Sequence, residues 1–180
     1  MKTSKILYLC LLFPVFCSCG DNKDQKDGQN TLTTEQQASV HRMKDYDLTD
    51  SVTMGNHLFV YTIHREADDS LKAVVDENGD KYVDNYYDLT ILRDGTSFFR
   101  RRFTKLSFGN QLDESFRKNG ILDGFRYMSA KEGMLTFGVC VSFPESDMSE
   151  PFVLTVGPDG SFTLEPDTTP DIEETEDTSV

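Results

Sequence analysis

An α+β fold, a largely antiparallel, strongly twisted sheet of about seven or eight strands with one packed amphipathic helix, is what this sequence predicts. Three observations predict it. In YYDLTILRDGTSFFRRRF, Asp94-Gly95 separates two runs rich in aromatic and β-branched residues. In LTFGVCVSF, apolar side chains alternate with small ones, the period of a strand. Between them Phe108, Leu112 and Phe116 recur every four residues, the spacing of one helical face. So many strands in so short a domain also suit a sheet curled into a half-barrel.

The hairpins follow from turn chemistry. Asp-Gly is a preferred two-residue turn because both central positions take positive φ. It sets Arg93 opposite Thr96, Ile91 opposite Phe98 and Asp88 opposite Arg101. Arg100 and Arg102 then share a face with Leu89 and Ile91, an odd mixture unless the arginine stems lie along apolar surface or a bulge switches the faces. DENGDK, from Asp76, joins Leu71–Val75 to Tyr82–Val83; AKEG, from Ala130, joins Ile121–Met128 to Met134–Phe143; GPDG, from Gly157, joins Phe152–Val156 to Ser161–Leu164. His57 to His64 reads as the first strand. Leu135, Phe137, Val139, Val141 and Phe143 share one face, with Gly138, Cys140 and Ser142 opposite. Ser107 starts the helix and Asn119-Gly120 stops it.

Ahead of the domain, LLFPVFCSCGDNKD passes from apolar to charged within a few residues. Lys2 and Lys5 precede an apolar run, Ile6 to Phe16, of about eleven residues, inside the roughly 7 to 15 of a signal-peptide core. A membrane span needs about 20, and Pro14 interrupts this one. Ser18 is the small residue before a cut, which puts Cys19 first in the mature chain; these residues resemble a bacterial lipoprotein lipobox, and that resemblance implies a diacylglycerol on the Cys19 thiol. Acyl chains contribute about 0.8 kcal/mol per buried methylene, so two or three hold a small protein on a membrane. The organisation expected is a signal over residues 1–18, a lipid-anchored polar tether over 19–50, a β-rich domain over 51–166 and an acidic tail over 167–180. A short helix around Thr34 to Lys44 fits inside the tether. The tail, DTTPDIEETEDTSV, carries six acidic residues and no basic ones, too little apolar surface to offset the cost of ordering.

Formal charge is −13, more negative still once Lys2 and Lys5 leave with the signal. That excess disfavours nucleic acid and anionic lipid head groups as partners. With Cys10 and Cys17 in the signal and Cys19 lipidated, Cys140 stands alone and is read as a small core residue. As a nucleophile it would need a histidine and a carboxylate nearby.

Other chemistry is sparse. Asp76, Asn78 and Asp80 mimic the start of a calcium loop, but Lys81 and Tyr87 stand where its glycine and closing glutamate belong. His57 and His64 have opposite parity in one strand and His41 lies in the tether, so no zinc cluster and no metal or other cofactor is expected. Arg100 and Arg102 are the candidate binding residues, for an anion or carboxylate; no catalytic residue is named. Tyr86, Tyr87 and Tyr127 serve either as contact residues or as core.

The blocks NYYDLTILRDGTSFFRRRFTKLSF, FRKNGILDGFRY and FGVCVSFPESDMSEPFVLTVGPDGSF resemble the C-terminal domain of small uncharacterised lipoproteins from Bacteroidetes, a family with a domain of unknown function. The resemblance covers about Tyr86 to Glu165. It implies an anchored envelope protein and brings no activity. Asp21 and Asp24, after the lipidated cysteine, resemble signals that send such lipoproteins to the outer face of the outer membrane. The expected function is therefore a non-catalytic envelope lipoprotein, attached to the membrane through Cys19, that binds a protein, peptide or glycan partner. A small periplasmic or surface enzyme of hydrolase type, or an inhibitor presenting the loop SFPESDMSEP, are the alternatives.

Overall fold

The structure is a computed structural model, and it describes residues 38–168. The leader, Cys19, the tether up to residue 37 and the tail from residue 169 lie outside the described residues. Two antiparallel meanders of four strands dominate. The first is built from β2 (Tyr46–Met54), β3 (His57–Ala67), β6 (Asn85–Arg93) and β7 (Thr96–Thr104), side by side in that order. The second runs β8 (Ile121–Lys131), β9 (Met134–Ser142), β10 (Ser149–Val156), β11 (Phe162–Pro166). A small third sheet inserts between β3 and β6: β4 (Val74–Val75) pairs antiparallel with β5 (Lys81–Tyr82), and β1 (Val40–His41) lies parallel to β5.

The antiparallel expectation holds, but the strands divide between two facing four-stranded sheets, with no closed barrel. The reason is legible in the burial pattern. Phe59, Tyr61, Ile63, Tyr87, Leu89 and Ile91 form one apolar face, and Leu135, Phe137, Val139, Val141, Phe152 and Leu154 form another. Each alternates with a polar face, so the two are buried by packing on each other. Each large side chain so covered contributes about 1.5–3 kcal/mol. Rings interlock across the gap: Tyr61 lies 5.7 Å from Phe137 and Tyr87 5.4 Å from Phe125.

Three two-residue turns set the registers. Asp94 (φ 51°) and Gly95 (φ 79°) both take positive φ, as that turn type demands, and Glu132-Gly133 does the same between β8 and β9. Gly55-Asn56 closes a third hairpin, between β2 and β3, beyond those expected. Consequently β2 precedes His57–His64, and residues 46–50, read as tether, are strand. Residues 40–41, within the stretch read as a short helix, are also strand.

Two further expectations are corrected. Phe98 is an extra residue in β7, so Ile91 pairs with Phe99 while Leu92 pairs with Ser97. The bulge moves Asp88 opposite Arg102 rather than Arg101, and puts Arg100 and Arg102 on the outer face with Thr90 and Asp88. Arg101 is the arginine on the apolar face; its guanidinium lies 4.4 Å from the centre of the Phe162 ring. The expected single helix is instead a 3-10 turn (Lys105–Phe108) and a six-residue helix α1 (Glu114–Asn119). Asp113, not Ser107, caps α1, accepting from the Ser115 amide at 2.8 Å. Phe108 and Leu112 still turn inward, and Phe116 packs against Phe143.

The β8–β9 pairing depends on Gly124. A Cβ there would fall 2.2 Å from the Cys140 sulfur, while the next atoms are at an ordinary 3.6 Å. Gly124→Ala should therefore destabilise the fold by about 1–3 kcal/mol in urea unfolding, the usual cost of overpacking. Adding Cys140→Ala should recover most of that loss, and no recovery would mean that the sulfur is not what meets the methyl group.

Candidate functional site

The parallel pairing of β1 with β5 forms one side of a cleft. Val40 and His41 align with Lys81 and Tyr82, and the His41 and Tyr82 rings stack at 4.6 Å with 11° between planes. Ser39 ties this strand down: its amide donates to Asp80 at 2.7 Å and its hydroxyl to the same carboxylate oxygen at 2.9 Å. Those bonds, the Ser39 amide's first, hold the Asp80 carboxyl below the usual range. Asp80 is in turn placed by the turn DENGD, in which the Asp76 carboxylate accepts from the Asn78 and Asp80 amides. The calcium-like residues are thus occupied by turn and strand hydrogen bonds. Among the described residues no three histidine, cysteine or carboxylate groups converge to hold a metal ion.

Opposite this strand, the β9–β10 loop is closed by the Phe143 amide donating to the Met148 carbonyl at 3.0 Å. Between loop and strand lies a cleft of about 670 Å³, within the range of roughly 300–1,000 Å³ usual for ligand sites. Its aromatic walls are the His41–Tyr82 stack and Phe143; Asp123, Glu145 and Asp147 supply carboxylates. Arg42, the cationic residue of the lining, is paired with Asp69. Such a lining disfavours anionic ligands and suits neutral or cationic groups that can lie on an aromatic face.

Ser39, His41 and Asp80 invite comparison with a hydrolytic triad, and the geometry separates them from one. Both the Ser39 hydroxyl (2.7 Å) and the Asp80 carboxylate (3.8 Å) approach Nε2 of His41. A triad needs the carboxylate on the other ring nitrogen, so that Nε2 stays available as base. Here the serine proton goes to Asp80, and the cluster fastens β1 to the β4–β5 turn.

Below the cleft, Asp84 and Asn85 join the sheets. Asp84 is 3 % exposed and accepts from the Asn85 amide at 2.9 Å and the Leu122 amide at 2.8 Å. Lys105, 8 % exposed, sits 3.6 Å from its other oxygen and donates to the Gly120 carbonyl. Burial dominates both groups, raising the Asp84 pKa and lowering that of Lys105; the two amides and the opposite charge act against it. Asn85 donates to the Leu122 carbonyl at 2.9 Å.

The other sequence candidates fall in separate places. Arg102 makes a two-point bond to Asp88 (2.9 and 2.7 Å), with its guanidinium 3.6 Å from the centre of the Tyr86 ring. An anion there would have to displace Asp88. Arg100 is exposed beside it, opposite Thr90. His57 and His64 face opposite ways, His57 to Asp94 at 2.5 Å and His64 to Asp47 at 2.8 Å; the latter bond raises the His64 pKa. Tyr87 is core, its hydroxyl on the Asp123 carbonyl and its pKa pushed up to about 12 by burial. Tyr86 is buried and bonded to Glu66, and Tyr127 stacks on Tyr61 at 4.9 Å.

Cys140 lies on the outer face of β9, half-buried beneath Gly124. Its thiol donates to Asp123 at 3.3 Å. Asp123 is displaced from the β8 ladder by a bulge between Leu122 and Gly124 and also accepts from Ser142 at 2.8 Å. Burial, then the Asp123 charge, pushes the thiol up to about 11, so it stays protonated at neutral pH, the opposite of what a nucleophile needs. Alkylation of Cys140 by iodoacetamide at pH 8, followed by mass spectrometry on its peptide, should run roughly 100-fold slower than for an unstructured cysteine. A rate equal to or above the unstructured one would contradict this environment.

A comparison with curated proteins gives no match. A family model does match, over residues 24–164, and its description is a domain of unknown function, DUF4738. The matched region takes in both sheets, the cleft and the joint at Asp84, and it begins ahead of the described residues. Of the resemblance noted over Tyr86 to Glu165, the match bears out the domain of unknown function, and it starts nearer the N-terminus. With most of its length inside that match, the chain belongs to the DUF4738 family.

Proposed function

We propose that this chain is a non-catalytic binding module of the bacterial cell envelope, held at the outer membrane by lipid on Cys19. In this reading a polar tether leads from Cys19 to the sandwich, and the cleft beside His41 and Tyr82 receives a segment of a protein, peptide or glycan. The observation that carries it is the cleft itself: an open aromatic and carboxylate-lined space whose nearby hydroxyl, imidazole and thiol groups are committed to structural hydrogen bonds. Anchoring rests on the sequence, on Lys2, Lys5, the run Ile6 to Phe16, and Ser18 before Cys19. Among the described residues no helix is long and apolar enough to cross a membrane. The loop of the inhibitor alternative walls the cleft, so its residues serve the same reading.

Two measurements test the two halves. Cys19→Ala should abolish labelling by a fatty-acid probe and release the protein into the soluble fraction; persistent membrane attachment would refute the anchor. For the cleft, envelope extract is passed over immobilised full-length protein and over Ser146→Trp, which fills the space. Material retained by the first and lost by the second, at unchanged melting temperature, is the expected result. Equal retention by both would place binding elsewhere. Turnover of chromogenic esters, glycosides or peptides that disappears in His41→Ala or Cys140→Ala would replace the module with a small hydrolase.

A further inference from the structure

Among the described residues β2 pairs only with β3 and β7 only with β6, so the first sheet ends in two open rims, each with outward backbone donors and acceptors. Their charges differ in sign. β2 carries Asp47 and Asp50 and no basic residue; β7 carries Arg100, Arg101 and Arg102 and no acidic one. In the second sheet the sense inverts. β8, which contacts β2, carries exposed Arg126 and Lys131, and β11, whose Phe162 packs on Phe99 and Phe103 of β7, carries exposed Glu165. One side of the sandwich is therefore acidic over basic and the other basic over acidic.

The outer face of the first sheet shows the same polarity in finer grain. By register, Asp47, His64, Asp88 and Arg102 form one row across the four strands, alternating carboxylate and cation-forming groups. His64 bonds Asp47 and Arg102 bonds Asp88. The row ends in a carboxylate at β2 and a guanidinium at β7. The next row is Thr49, Thr62, Thr90 and Arg100, and Arg100 has no ion-pair partner among the described residues. Because each step across the sheet is antiparallel, β2 and β7 run in opposite directions. A second copy shifted along the row, without rotation, sets its β2 antiparallel to β7.

We propose that copies of this chain associate head to tail through these rims. The β7/β11 side of one copy takes the β2/β8 side of the next, where Asp47 of β2 stands opposite Arg102 and one diagonal step from Arg100, within reach of that long unpaired side chain. Like rims cannot pair, because Arg100 to Arg102 would face themselves, and the −13 net charge opposes contacts that lack this complementarity. The contact is heterologous, so it yields open chains rather than closed dimers. Charged rims serve in many sheets only to keep copies apart, and the test decides between the two roles. The proposal does not depend on the cleft.

Sedimentation velocity on the full-length protein in detergent, over a concentration series, reads it directly. The mass should rise with concentration, more at low ionic strength than at high. Arg100→Glu and Asp47→Lys should each lower the association constant by at least about 10-fold, a scale expected for losing a complementary charge pair and gaining a like one. An equimolar mixture of the two variants should regain association, since Glu at 100 then meets Lys at 47, and so should the double variant. Asp47→Lys also loses the His64 bond, so unchanged melting of Arg100→Glu, which breaks no internal pair, keeps the test independent of folding. A monomer at every concentration and salt, association indifferent to Arg100→Glu, or no recovery on mixing would each overturn the proposal.

Discussion

The carboxylate of Asp84 is the constraint on which the arrangement of the three sheets depends. It stands two residues after β5 and at the threshold of β6, and its oxygens reach the Leu122 amide at the start of β8 and the Lys105 ammonium at the start of the 3-10 turn. Its carbonyl accepts from the Asp68 amide, which closes the excursion carrying β4 and β5. One side chain thus fixes where the small sheet leaves the first meander, where the crossover begins and where the second meander starts. A buried ion pair is weak evidence for net stability, because desolvation offsets the Coulombic gain. What Asp84 supplies is position, since two backbone donors and a lysine would be stranded without it.

The cleft is a consequence of that joint. Fixing Asp84 places Tyr82 and Val83 beside Ile121 and Asp123, and β1 then lays His41 over Tyr82 as the third strand of the small sheet. On the far side, the Asp123 bulge lets one residue serve two places, its carbonyl taking the Tyr87 hydroxyl in the core and its carboxylate holding Ser142 and Cys140 at the edge of the cleft. Ser39, His41, Asp80, Asp123 and Ser142 are thus braced around the space, which favours recognition by a preformed surface.

Much of the architecture was legible because turn residues and alternation are local signals. Asp94-Gly95, Glu132-Gly133 and the Leu135 to Val141 alternation needed only neighbours in sequence to be read. The bulge at Phe98 was not legible. Phe98 and Phe99 are equally apolar, and only the fit of Phe99 into the core against Phe162 decides which of them pairs with Ile91. The same limit hid the cleft: its walls come from residues 41–43, 82–83, 121, 123 and 143–147, joined by Asp84 and by a parallel pairing too short to leave a periodic trace. Ser39 and His41 read as polar tether because the carboxylate that holds them, Asp80, is some forty residues away. The helix broke for a local reason that could have been weighed, namely that Gly109-Asn110 interrupts it and Asp113, as good a cap as Ser107, stands just beyond the break.

Urea unfolding of Asp84→Ala tests the central claim most directly. Removing one partner of a buried pair leaves Lys105 uncompensated and the Leu122 and Asn85 amides unbonded, so the loss should be about 3–5 kcal/mol. The joint Asp84→Leu, Lys105→Met replacement should recover part of it but not restore protection of the Leu122 amide from hydrogen exchange. A loss below about 1 kcal/mol for Asp84→Ala, with that amide still protected, would show that the three sheets are held in place by something other than this carboxylate.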